Sequence, residues 1–208
     1  MSLSKPKSFK KIGLFGSSHI KRFPSEMLKK LGLKPQKLSF NPKRADTIIS
    51  SGRLDRVITR IIEDFIDLDA VFIFAGGNDI YSGCDPRTIT DNILYIAKEF
   101  ESIGVEPIIM PIINREKPWN MEEEEYNSIR YSINRRLREQ SRKQHLRYRV
   151  LPLHYLRLED GVHLTNNSYE RLSLAIRKQM VNLTMSSLRA EGNYRFNETE
   201  YDVEYFYQ

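Results

Sequence analysis

The chain has 208 residues, 40% hydrophobic and 29% charged, enough apolar material for one sizeable core and no reason to divide into two. No apolar run approaches the roughly 20 residues that span a bilayer, and Lys10 and Lys11 interrupt the basic start before any leader-like apolar stretch, so neither a membrane span nor a secretory signal is expected. The net charge of +6 permits contact with nucleic acid or an acidic surface, and the single cysteine, Cys84, cannot form an intramolecular disulfide, which fits a reducing cytoplasmic or nuclear setting.

Residues 1–10 read as a basic arm, 11–188 as one folded domain and 189–208 as an acidic, aromatic tail. Lys11 to Phe15 is a short apolar run with the character of a buried strand, and it ends at Gly16-Ser17-Ser18-His19. From His19 to Leu31 the spacing of Ile20, Phe23, Met27, Leu28 and Leu31 predicts a helix, which Pro24 should break or kink near Phe23. Lys37 to Phe40 suggests a second strand, Asn41 to Arg44 a loop, and Leu54, Val57, Ile58, Ile61, Ile62 and Phe65 one apolar helix face. Ala70 to Ala75 is a continuous apolar run, as expected of a parallel strand buried on both faces, and it stops at Gly76-Gly77-Asn78-Asp79.

A helix follows from about Pro86 to Ser102, with proline suited to its first turn and Gly104 closing it. Ile108-Ile109-Met110 marks a fourth strand. Glu122 to Leu146 predicts one long helix with acids first and bases last, complementing the helix dipole, and an apolar stripe of Tyr126, Ile129, Ile133 and Leu137. Tyr148 to Leu151 suits a fifth strand. The loop Glu159-Asp160-Gly161-Val162-His163 precedes a last helix carrying Leu172, Ala175, Ile176, Met180 and Leu183. Strands alternating with helices in this way imply a three-layer α/β/α sandwich around about five parallel strands.

In such a sheet, ligands bind beyond the carboxyl ends of the strands. There the sequence offers a hydroxyl at Ser18, an amide at Asn78, and a carboxylate and imidazole three residues apart at Asp160 and His163. Acyl transfer requires those groups: a nucleophile, a base to take its proton, an acid to orient the base, and donors for the oxyanion. Each also has a plain structural use. Ser17 and Ser18 suit a helix cap, Gly77-Asn78-Asp79 a turn, and Asp160 the cap of the last helix. The four histidines and one cysteine show no paired metal-ligand spacing, so no metal or other cofactor is expected.

Gly16-Ser17-Ser18, Gly76-Gly77-Asn78-Asp79 and Asp160-Gly161-Val162-His163 resemble, in order and position, the G-D-S, G-x-N-D and D-x-x-H blocks of the SGNH (GDSL-type) hydrolases, over about Lys11 to Met180. The resemblance implies a flavodoxin-like sheet and a metal-free serine esterase acting on small acyl or acetyl esters. Carried over by position, Ser18 is the nucleophile, His163 the base, Asp160 its orienting acid, and Ser18 (by its backbone N–H) and Asn78 the oxyanion donors, with Ser17, Gly77 and Asp79 beside the substrate. Two departures stand out: Ser17 replaces the usual aspartate, and Arg44 or Lys43 occupies the place of the glycine in the family's second block.

The segment Arg130 to Arg149 carries Arg130, Arg135, Arg136, Arg138, Arg142, Lys143, Arg147 and Arg149 against Glu139. It reads either as a solvated helix face or as a phosphate-contacting surface. SGNH-like domains also occur beside nucleic-acid-binding modules in retrotransposon proteins. The alternative to an esterase is therefore a weakly active or inactive SGNH-like domain that binds nucleic acid or a protein partner through this segment.

Overall fold

The computed structural model describes residues 11–16, 18–24, 26–27, 36–38, 66–144, 146–148 and 156–190. The arm, most of the tail, the expected helix over 54–65, Ser17, and Lys43 and Arg44 lie outside them.

A five-stranded parallel sheet forms the centre, built from β1 (Ile12–Gly16), β2 (Gln36–Leu38), β3 (Ala70–Phe74), β4 (Glu106–Ile109) and β5 (Arg147–Tyr148) in the order β2-β1-β3-β4-β5. That is the flavodoxin-like order, whose ligand crevice falls where the winding reverses, between β1 and β3. Every residue of β1 and β3 is buried, which explains their unbroken apolar sequence.

Alternation along these strands divides the core into two. Phe15, Val71, Ile73 and Ile109 pack under α2 (Pro86–Ser102) and α3 (Glu123–Lys143) through Ile93, Phe100, Tyr126, Ile133 and Leu137. Ile12, Leu14, Phe72 and Ile108 pack on the other face against α1 (Ser18–Lys21) and α4 (Asn166–Ala190), through Ile20, Leu172, Ile176 and Leu183. This is the three-layer sandwich expected from the sequence.

Helix α2 has the expected bounds because its ends are chemically marked. The Asp85 carboxylate accepts from the Arg87 N–H, Pro86 occupies the first turn, and Gly104 follows with φ +79°. Helix α3 stops at Lys143, short of the expected Leu146. Helix α1 ends at Lys21, which is the break expected near Phe23, and the backbone is helical again at Glu26 and Met27. Pro24 lacks an N–H and disfavours helical backbone at the residue before it, and the Phe23 N–H turns back early to the Ile20 carbonyl at 3.1 Å. Ser18 therefore sits on a single turn of helix.

Candidate active site

The site lies at the carboxyl ends of β1 and β3, which run in register with Gly16 opposite Phe74. Gly16 has φ +150°, and a Cβ there would stand 2.1 Å from the Phe74 carbonyl oxygen. Only glycine lets β1 approach β3 so closely before turning into Ser18. One turn of α1 then presents Ser18, with the Arg22 N–H bonded to its carbonyl at 3.0 Å. From the layer above, the Tyr169 hydroxyl of α4 donates to the His19 carbonyl at 3.0 Å and the Tyr169 ring meets Phe23 edge-on, which ties α1 to the core.

Asp160 and His163 sit at the tip of a narrow antiparallel loop. Leu158 bridges Leu164, the Glu159 N–H reaches the His163 carbonyl at 2.7 Å, and the Thr165 N–H reaches the Arg157 carbonyl at 3.0 Å. Thr165, not Asp160, accepts the Ser168 N–H at the start of α4. Asp160 is thereby left to the turn itself. Its Oδ1 accepts the backbone N–H groups of Val162 at 3.0 Å and His163 at 2.7 Å, and its Oδ2 meets His163 Nδ1 at 2.7 Å. These bonds, the one from the His163 ring first, hold the Asp160 carboxyl well below the usual carboxylate range. An ionised carboxylate only accepts, so Nδ1 carries the ring proton and Nε2 presents a lone pair. Ser18 Oγ lies 3.2 Å from that Nε2. The three groups thus form one hydrogen-bonded chain although 145 residues separate Ser18 from His163.

Asn78 occupies the turn after β3, where Gly76 has φ +95° and the Asp79 N–H closes onto the Gly76 carbonyl at 3.1 Å. The Tyr126 hydroxyl of α3 lies 3.4 Å from the carbonyl oxygens of both Gly77 and Ile113. Burial pushes its pKa up, so it stays a donor. Asp79 is almost wholly buried within this turn.

Two residues at the site escaped the sequence reading. Arg115, in the loop after β4, donates from Nη2 to Asn78 Oδ1 and lies over the Tyr126 ring, 5.5 Å from its centroid. His19, directly after Ser18, is 8% exposed, its ring centroid is 5.8 Å from that of His163, and its Nδ1 has no partner. Burial, then electrostatic repulsion from Arg115, His163 and Arg22, lowers its pKa to about 4, so it is neutral near pH 7. A third neighbour, Arg22, sits 3.4 Å from Asp160 Oδ2; both side chains are about half exposed, and such a pair contributes little.

No family model matches the chain, and no curated protein matches its sequence. Among solved structures, it is similar to a GDSL-like lipase from Bacteroides thetaiotaomicron VPI-5482, at 18% identity and TM-score 0.64, over 83% of this chain and 88% of that one. It is also similar to the aryl esterase of M. smegmatis, at 15% identity and TM-score 0.63, over 84% and 99% of the two chains. A carbohydrate acetylesterase from Sinorhizobium meliloti matches at 14% identity and TM-score 0.62, again over 84% and 99%. At such identities the likeness shows the fold, and the fold is that of the GDSL-like hydrolases.

Proposed function

We propose that this chain is a serine esterase acting on a small acyl or acetyl ester. The observation that carries the reading is the hydrogen-bonded chain from Ser18 Oγ through the His163 ring to Asp160. Ser18 Oγ attacks the ester carbonyl carbon while its proton passes to His163 Nε2. The carbonyl oxygen becomes an oxyanion that takes hydrogen bonds from the Ser18 backbone N–H and the Asn78 amide. The carbon–oxygen bond to the alcohol then breaks, and that alcohol leaves with the proton from His163. Water attacks the acyl-Ser18 ester, giving its proton to the same nitrogen, and the acid departs as Ser18 recovers its hydrogen. Asp160 holds the imidazole in the productive tautomer and stabilises the imidazolium.

A fluorophosphonate probe tests this directly. The wild-type protein should be labelled and Ser18→Ala should not; a folded wild type that takes no label, and hydrolyses no p-nitrophenyl acetate, would sink the esterase reading.

A second reading concerns partners. On α3, Tyr131, Arg135, Arg138 and Arg142 recur at helical spacing, all exposed, with Tyr131 68% accessible. An exposed aromatic followed by three guanidinium groups suits a nucleic-acid strand, whose phosphates would pair with the arginines and whose bases would stack on the ring. Affinity for a fluorescent oligonucleotide should fall steeply with added salt, and a flat salt response would remove this reading.

A further inference from the structure

Arg115 carries a role beyond bracing a loop. A guanidinium only donates, so the Asn78 atom that meets Arg115 Nη2 is the carbonyl oxygen Oδ1, and the amide orientation follows from chemistry. Nδ2 is then left as the outward donor. Among the described residues no carboxylate forms a salt bridge with Arg115, and its Nε is buried without an acceptor. Such a buried, unsatisfied donor calls for a reason.

The guanidinium is also held from two sides. Its charge rests on the face of Tyr126, the ring whose hydroxyl reaches Gly77 next to Asn78. Behind it, the N–H groups of Glu116 and Lys117 both donate to the Gly161 carbonyl, at 2.8 and 3.1 Å. Gly161 has φ +82°, and a Cβ there would strike the Lys117 stem at 2.8 Å, so this docking is close. One loop therefore grips the Asn78 turn with a side chain and the Asp160–His163 turn with its backbone.

We propose that Arg115 is a positioning residue for ester hydrolysis: it fixes the Asn78 amide with Nδ2 towards the oxyanion and, by drawing charge from Oδ1, makes Nδ2–H a stronger donor. A charge-assisted bond to one end of an amide polarises the other end, most effectively where water is scarce. The inference rests on the esterase reading and concerns only how the oxyanion donor is held.

The test is a double-mutant cycle on p-nitrophenyl acetate hydrolysis, with Arg115→Met, Arg115→Lys and Asn78→Ala. Complete loss of one oxyanion donor lowers kcat on the order of a hundredfold to a thousandfold. Weakening that donor should take a fraction of this, so Arg115→Met should lower kcat by about tenfold or more with KM nearly unchanged, and Arg115→Lys should recover part of it. In the Asn78→Ala background the same Arg115→Met change should cost less than about threefold, because the group through which arginine acts is gone. Unchanged kcat in Arg115→Met, or an equal loss in both backgrounds, would overturn the inference while leaving the esterase intact.

A readout independent of turnover is the side-chain amide resonance of Asn78, assigned by its disappearance in Asn78→Ala. Arg115→Lys, which keeps the charge and the stem, should shift it upfield, and an unmoved resonance also counts against Arg115. If the wild type proves inactive but the resonance moves, the esterase reading fails and the Arg115–Asn78 bond stands.

Discussion

The buried imidazole of His19 makes acid stability a measurable property of the site. Its pKa falls from an ordinary 6.5 to about 4 because burial and repulsion from Arg115, His163 and Arg22 oppose its proton. A group whose folded pKa lies below its unfolded value binds fewer protons in the folded state. Its contribution is therefore fully present above the unfolded pKa and is lost as pH falls through the window from 6.5 towards 4. At 1.36 kcal/mol per unit, going from near pH 7 to near pH 4.5 removes roughly 2–3 kcal/mol of folding stability through this one residue. Since small domains are stable by roughly 5–15 kcal/mol, that is a large share of the total.

His19→Gln has no titrating group. It loses the contact with the His163 ring at every pH, so that cost cancels between two pH values. Urea unfolding near pH 7 and near pH 4.5 should show the wild type losing roughly 2–3 kcal/mol more than His19→Gln over the interval. Equal losses in the two proteins would show that His19 is not held neutral by the fold, and the cluster around Ser18 would then be more hydrated than its burial indicates.

Three further outcomes follow from the same geometry. Asp160→Asn keeps an oxygen for the Val162 and His163 N–H groups but faces Nδ1 with an amide donor, which forces the other imidazole tautomer. Its kcat should fall on the order of ten-thousandfold while its unfolding midpoint stays close to wild type, and a loss under tenfold would remove Asp160 from the orienting role. Gly16→Ala must abandon a φ that costs about 1–3 kcal/mol for an ordinary residue, and its Cβ also meets the Phe74 carbonyl. Urea titration should show a destabilisation above that range, and neutrality would mean that β1 is freer than its contact with β3 implies. Ile133→Ala empties a fully buried position between α3 and the sheet and should cost about 2–5 kcal/mol by the same titration, with kcat unchanged in the surviving folded fraction.

Parts of the site were legible in the sequence because local chemistry determines them. The Asp160-x-x-His163 spacing works because a tight turn lets one carboxylate accept two backbone N–H groups and still meet the ring. The apolar runs of β1 and β3 announced strands buried on both faces, and each broke at a glycine where the backbone needs positive φ. Helix α2 was readable to the residue because Asp85, Pro86 and Gly104 mark its ends, and the break after α1 was readable because Pro24 interrupts the backbone there although the apolar spacing persists.

Arg115 and His19 were not legible, and for different reasons. Arg115 meets Asn78 across 37 residues of sequence, so only the β3–β4 register brings the two loops together; in one dimension it is one base among 33 lysines and arginines. His19 adjoins Ser18 in sequence, but its neutrality depends on burial under α4 and on Arg115 and His163 from distant segments as well as the nearby Arg22. Ser18, His163 and Asp160 are thus written in short motifs, while the electrostatic field around them is a product of topology. A chain that retained the motifs but lost the β4 loop would keep Ser18, His163 and Asp160 recognisable and leave Asn78 Oδ1 without the guanidinium that donates to it.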